Sequence, residues 1–232
     1  MDMVCLIALW LAAIDFGIGV RGGLPVTSGL EADSQQGPYQ MVYGVTLPFS
    51  GYQAVDHPYT VGPTATVGLP RHFSLQFDAL YKRYGFDSAL PIINTPSSGV
   101  WAEEQWARVS QWTYSAQARY KWGFLLIGAG AALPQITSQD SRYKYTRRGL
   151  FDREPHIGTG TSDSISEVNR RNGFGVIASV AAEWRVGRLR LNPELRYTRV
   201  TRRMFGGSLP GGSIYNRENQ VDILLGILGG TH

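Results

Sequence analysis

Sulfur chemistry is almost missing from this chain. Its one cysteine, Cys5, lies close to the N-terminus, so a disulfide framework is excluded. Charge is scarce as well. Asp, Glu, Lys and Arg make up 17% of the residues and the net charge is +4, too mild to point to nucleic acid. Long apolar runs are also absent, apart from "VCLIALWLAAI", Val4 to Ile14. That run is shorter than the roughly 20 residues a transmembrane helix needs, which excludes a helical membrane bundle. It has the length of a secretory signal core, with Leu11-Ala12-Ala13 as a cleavage site, although Asp2 stands where such signals carry positive charge. Residues 1–13 are therefore expected to be an atypical or truncated signal peptide, and residues 14–232 a single exported domain.

What the chain does contain is glycine (28 residues), aromatics (12%) and alternation. In "RLRLNPELRYTRV", Leu189, Leu191, Pro193, Leu195 and Tyr197 point one way, while Arg190, Asn192, Glu194, Arg196 and Thr198 point the other. A period of two is a strand with two unlike faces. The same template predicts seven more strands: Phe16–Leu24, Tyr59–Leu69, His72–Tyr84, Arg108–Trp122, Phe124–Leu133, Phe174–Val186 and Gln220–Leu228. The links after the second, fourth and sixth are tight ("GLPRH", "KWG", "VGR"). The others run from about 15 to about 40 residues, long enough to suggest function or mobility. Short turns at one mouth and long loops at the other is the pattern of an outer-membrane barrel.

Volume decides which face is inside. An eight-stranded barrel is only just wide enough for side chains to fill it, and roughly forty apolar groups would overpack it. The face built from Gly, Ser, Thr and charged residues fits a narrow lumen. The aromatics gather near strand ends, as interfacial girdles do: Phe73, Trp122 and Trp184 by the short turns, and Tyr59, Tyr81, Trp112, Phe174 and Tyr197 by the long loops. The expected fold class is thus all-β, an eight-stranded antiparallel up-and-down transmembrane barrel. Arg21, Asp78, Lys82, Arg119, Lys121, Glu183, Arg185, Arg188, Arg190, Glu194, Arg196 and Asp222 are expected inside or at the rim. Cations there outnumber carboxylates about two to one, and buried charges must be paired, so the set is read as a polar plug.

With these strands in place, "YTVGPTATVGLPRHFSLQFDALYKRYGF", "RLRLNPELRYTRV" and "NQVDILLGI" resemble the outer-membrane β-barrel domain family, the OmpA/OmpX-like eight-stranded proteins. The resemblance covers nearly everything after the leader. It implies a bacterial outer-membrane location; with no nucleophile and base set visible near the outer rim, no enzymatic activity and no cofactor are expected. It also implies contact with outer-membrane lipids and lipopolysaccharide, and handling by the barrel-assembly machinery during insertion. Family members commonly end in an aromatic residue; this chain ends "LLGILGGTH".

Candidate chemistry is sparse. His72-Phe73-Ser74 resembles the His-x-Ser of lipid A deacylases, but it lies beside a short turn, far from the outer leaflet. "GFGVIA" begins a strand instead of following one, so the dinucleotide context fails. Asp152, Glu154 and His156 have no further ligand at metal spacing. The long loops are basic: Arg142, Lys144, Arg147, Arg148, Arg170, Arg171, Arg202 and Arg203 are candidate contacts for lipopolysaccharide phosphates or acidic glycans, since guanidinium pairs bidentately with such groups. The expected role is structural, adhesive or surface-binding. A small solute channel, a lipid A-modifying enzyme and a soluble lipocalin-like barrel are the alternatives.

Overall fold

A computed structural model describes residues 15–27, 29–33, 53–54, 58–95, 99–148, 156–161, 167–168, 171–209 and 212–231. Eight strands form the wall: β1 (Asp15–Pro25), β2 (Tyr59–Gly68), β3 (Phe73–Thr95), β4 (Gly99–Trp122), β5 (Leu125–Arg148), β6 (Gly175–Ala182), β7 (Leu189–Val200) and β8 (Asn219–Thr231). Each pairs antiparallel with the next, and β1 pairs with β8, so the sheet closes on itself. Closure satisfies every wall strand on both edges, which is what lets a sheet cross hydrocarbon.

The faces divide as the alternation implies. On β7 the inward residues from Arg190 to Val200 are buried, while Leu189, Leu195, Tyr197 and Arg199 are exposed. On β6 Gly175, Ile177, Ser179 and Ala181 are buried between exposed Val176, Ala178 and Val180. Ile18, Leu133, Ile223 and Leu225 also point outward. Trp122 and Trp184 are outward at the short-turn end, and Tyr59, Phe174 and Tyr197 at the other. Apolar residues girdle the whole wall. A water-soluble barrel would hide this face, and monomeric soluble proteins do not expose patches of such extent. The lipocalin-like alternative is therefore excluded: lipid takes the place of the core.

The structure corrects the strand ends. The predicted third, fourth and fifth strands stop near Tyr84, begin near Arg108 and stop near Leu133. In the structure β3, β4 and β5 are 23, 24 and 24 residues long, and His156–Thr161 adds a strand beside β5. A membrane strand needs about 9–11 residues, so close to half of this sheet projects beyond the apolar belt. Past the belt neither face meets lipid, so the period-two signal fades although ladder hydrogen bonding continues. A bulge marks the exit: Ser110 pairs with Ser138 and Gln111 with Ile136, leaving Thr137 as the extra residue. Bulges at barrel rims bend the strand and increase its twist. Other segments expected as loops contain a second sheet of four short strands, Leu30–Asp33, Gly212–Asn216, Phe205–Leu209 and Glu167–Val168 in spatial order. The predicted sixth strand, Phe174–Val186, is broken at Glu183, beyond which Trp184–Val186 pairs with β7.

Candidate functional site

Three layers of charge fill the bore. The middle one links five wall strands. Glu194 on β7 accepts from Arg21 on β1, Arg119 on β4 and, at 2.7 Å, the Nε of Arg196. Arg196 also donates through Nη2 to Asp78 on β3 at 2.6 Å. Asp78 accepts further from Thr64 on β2 (2.6 Å), from Gln76 (2.8 and 2.9 Å) and from Ser115 (3.2 Å). The Asn192 Oδ1 accepts from Arg21 at 2.9 Å and Arg119 at 3.1 Å. Arg21 is 0% exposed. Because β3 and β7 stand four strands apart in a ring of eight, the Arg196–Asp78 contact spans the bore between opposite walls.

Toward the short turns, Arg190 meets Asp15 at 2.8 Å and Lys121 meets Glu183 at 2.6 Å. Toward the other end, Lys82 donates to Asp222 at 2.5 Å and to Gln220 at 3.3 Å. Between and above these layers the bore mixes apolar and uncharged polar groups: Leu80, Ile177, Val200, Leu224, Val109, Ile136 and Met204 are buried beside Gln111, Thr113 and Thr198, and the Tyr84 hydroxyl donates to Gln111 at 3.0 Å. The gap beside Lys82, Arg196 and Asp222 is about 10 Å³, room for one water at most.

One expectation needs correction, the place of Arg185 in the lumen network: it is half exposed and reaches Glu183 only at 3.9 Å. Arg188 is exposed in the turn before β7, at the rim. With both outside the bore and Asp15 inside it, the interior cations Arg21, Lys82, Arg119, Lys121, Arg190 and Arg196 nearly balance the carboxylates Asp15, Asp78, Glu183, Glu194 and Asp222. A two-to-one excess would leave guanidinium groups unpaired in a low-dielectric tube, which is costly. Asp15 was missed because it precedes the first predicted strand. Gln76 and Asn192 sat on the inward face and carried no charge to draw attention.

β5 contributes no charged group to these layers; its inward Gly128 makes room for the side chains of Ser179, Arg119 and Gln117, while Gly130 lies against the backbone of β4 at Ala116 and Gln117. A Cβ on Gly128 would lie 2.8 Å from Ser179 Oγ, 2.9 Å from Arg119 Cγ and 3.2 Å from Gln117 Oε1. Gly128→Val is accordingly expected to destabilise the barrel by about 1–3 kcal/mol, read as a lower urea midpoint for loss of the compact band in unboiled electrophoresis.

The basic rim is less unified than the loop sequence implies. Arg142 pairs with Asp140 at 3.0 Å, both half exposed. Lys144 is half-buried and partnered. Arg203 lies 3.6 Å from Glu218 and 3.7 Å over the Tyr215 ring. Arg171 and Arg202 are exposed and, among the described residues, have no acidic partner. Arg170 and the side chains of Arg147 and Arg148 fall outside the described residues, as do Asp152, Glu154 and residues 1–14. His72 sits in the turn after β2 at φ 69°, its ring edge-on to Tyr120 at 6.4 Å. Among the described residues no cluster of three His, Cys, Asp or Glu offers a metal site.

No protein-family model matches the chain, and no curated protein matches it. Among solved structures it is similar to Ail, the attachment invasion locus protein of Yersinia pestis, solved with the heparin analogue sucrose octasulfate. That match has 9% identity, a TM-score of 0.32, and covers 93% of this chain and 97% of the other. It is similar also to the outer membrane protease OmpT from Escherichia coli, with 9% identity, a TM-score of 0.36, and coverage of 94% and 96%. The ring of strands and the inverted distribution of polarity carry the assignment of fold by themselves. The chain is an integral membrane barrel of the outer-membrane kind, eight antiparallel strands with apolar side chains outside and a salt-bridged interior.

Proposed function

We propose that this protein is a sealed, non-catalytic outer-membrane anchor that carries a stiff β-sheet above the outer leaflet for attachment to anionic surfaces. The observation behind this reading is the length of β3, β4 and β5: adjacent, paired over most of their course, and more than twice what the membrane requires. An extended ladder is far stiffer than the loops an anchor or channel needs. Exposed Arg171 and Arg202 near its base suit phosphate, sulfate or carboxylate groups. The interior supports sealing, since side chains from opposite walls meet in the bore and eight strands leave little width.

The test is made on proteoliposomes carrying the full chain or a variant lacking residues 88–105 and 140–160. The full chain is expected to hold vesicles on a surface coated with a sulfated or phosphorylated glycan, and the shortened chain, still inserted, to release them. Equal retention overturns the attachment role. In a planar bilayer the full chain is expected to show no steady conductance; reproducible open steps overturn the seal and favour the channel.

A further inference from the structure

Short turns join β2 to β3, β4 to β5 and β6 to β7 at the mouth away from the projecting sheet. Two of them meet a left-handed backbone with glycine, Gly123 at φ 63° and Gly187 at φ 62°. A Cβ at either glycine would meet nothing within 4 Å, so conformation alone asks for glycine there. The remaining turn, Pro70-Arg71-His72, has the same requirement twice and meets it with Arg71 at φ 63° and His72 at φ 69°. Histidine is among the side chains that enter this region; arginine is a rare occupant. The surroundings hold the strain in place. Leu69 N–H donates to the Phe73 carbonyl at 2.8 Å and closes the turn, while Lys121 N–H donates to the His72 carbonyl at 2.8 Å and ties it to β4. Backbone strain over-determined in this way gathers at functional positions.

Arg71 is exposed and, among the described residues, makes no hydrogen bond or ion pair. Other cations share its mouth. Lys121 and Arg190 are taken up by Glu183 and Asp15. Arg188 is exposed and unpaired among the described residues, and Arg185 keeps only the 3.9 Å approach to Glu183. Five cations thus face two carboxylates at this end of the described chain. The turn holding Arg71 stands opposite the one holding Arg188, four strands away in the ring. Strands about 4.8 Å apart and tilted near 45° set roughly 17 Å between opposite sides of an eight-stranded mouth. Arg185 and Lys121 both approach Glu183, so this charge lies over the end of the bore and not against the wall.

We propose that the short-turn mouth is a docking surface for an extended acidic peptide segment of a soluble protein on that side of the membrane, its carboxylates received by Arg71 on one side and by Arg185 and Arg188 on the other. Unopposed guanidinium groups suit carboxylates, which they pair bidentately. Their separation calls for several anions along a chain, about five extended residues from side to side; a compact single anion reaches one side only. A phospholipid headgroup is a poorer occupant, since lipid ends at the perimeter and Arg185 stands inside it. The inference is independent of the attachment role, which belongs to the opposite mouth.

The experiment places the full chain in phosphatidylcholine nanodiscs and reads the fluorescence anisotropy of a peptide of alternating Glu and Gly bearing an uncharged dye, with the Gln-Gly peptide as control. The wild type is expected to bind the acidic peptide, more weakly as salt rises, and to leave the control free. Arg71→Gln combined with Arg188→Gln is expected to weaken binding about tenfold. Arg83→Gln combined with Arg199→Gln, two exposed cations at the other end of the wall, makes the same change in net charge and is expected to leave binding unaltered. Arg71→Gly is expected to weaken binding while raising the urea midpoint of the barrel, because it removes charge and strain together. Undiminished binding by the Arg71 and Arg188 double variant, or an equal loss in the Arg83 and Arg199 control, overturns the site. Loss of peptide binding when the nanodiscs are made with phosphatidylglycerol assigns the cations to lipid headgroups and overturns the peptide. A lowered midpoint for Arg71→Gly shows that arginine serves the fold and overturns the reading of this turn as functional.

Discussion

Glu194→Leu is expected to destabilise the barrel by about 3–5 kcal/mol, the loss typical of breaking a buried ion pair from one side. The carboxylate is 2% exposed and receives guanidinium groups from β1, β4 and its own strand. Leucine removes both carboxylate oxygens at once and leaves Arg21 and Arg119 only neutral acceptors, Asn192 and Gln76. Arg21, Arg119 and Arg196 are then left around Asp78, which already accepts from Thr64, Gln76 and Ser115. Glu194→Gln, which keeps one carbonyl acceptor and loses the charge, is expected to fall between the two. The measurement is urea unfolding of the barrel in lipid vesicles, followed by tryptophan emission and by mobility without boiling. A loss below about 1 kcal/mol for the leucine variant, the size of an exposed pair, would show that the network is solvated and the bore open to water.

Leu225→Arg carries the second large effect. Leu225 lies on the outer face of β8, 48% exposed, paired between Gly22 of β1 and Pro193 of β7. An arginine there faces the middle of the apolar belt, and the expected loss is about 2–4 kcal/mol; at the interface the figure falls to about 0–1 kcal/mol. Asn219→Arg, on the same face of the same strand but beside Arg199 at the outer rim, supplies that comparison. On a water-facing wall the two substitutions would be equally harmless, since surface changes usually stay within about 0.5 kcal/mol. Unfolding free energies in vesicles that fail to separate the pair would invert the orientation argued from volume and burial.

Alternation along β7 is legible to the residue, from Leu189 to Tyr197 outside and Arg190 to Thr198 inside, because a wall strand meets two solvents that differ sharply in polarity. The same rule fails for residues 85–95, 99–107 and 136–148. Above the rim both faces of the sheet lie outside hydrocarbon, so the ladder persists with no periodic signature to betray it. The short strands at Phe205–Leu209 and Gly212–Asn216 are hidden for a related reason: their glycine and serine content reads as turn chemistry, and only pairing with distant segments makes them strands.

Arg185 and Asp15 mark the limit for the interior. By parity Arg185 belongs in the bore, yet a break at Glu183 and the turn that follows carry it to solvent. Asp15 lies outside any periodic run, yet strand pairing brings it to Arg190.

Strand number, orientation and the sorting of side chains between lipid and bore were thus written in local alternation, since a period of two needs no knowledge of the rest of the chain. Which cation meets which carboxylate depended instead on register and on closure of β1 against β8. Those set the distance between residues as far apart as Arg21 and Glu194.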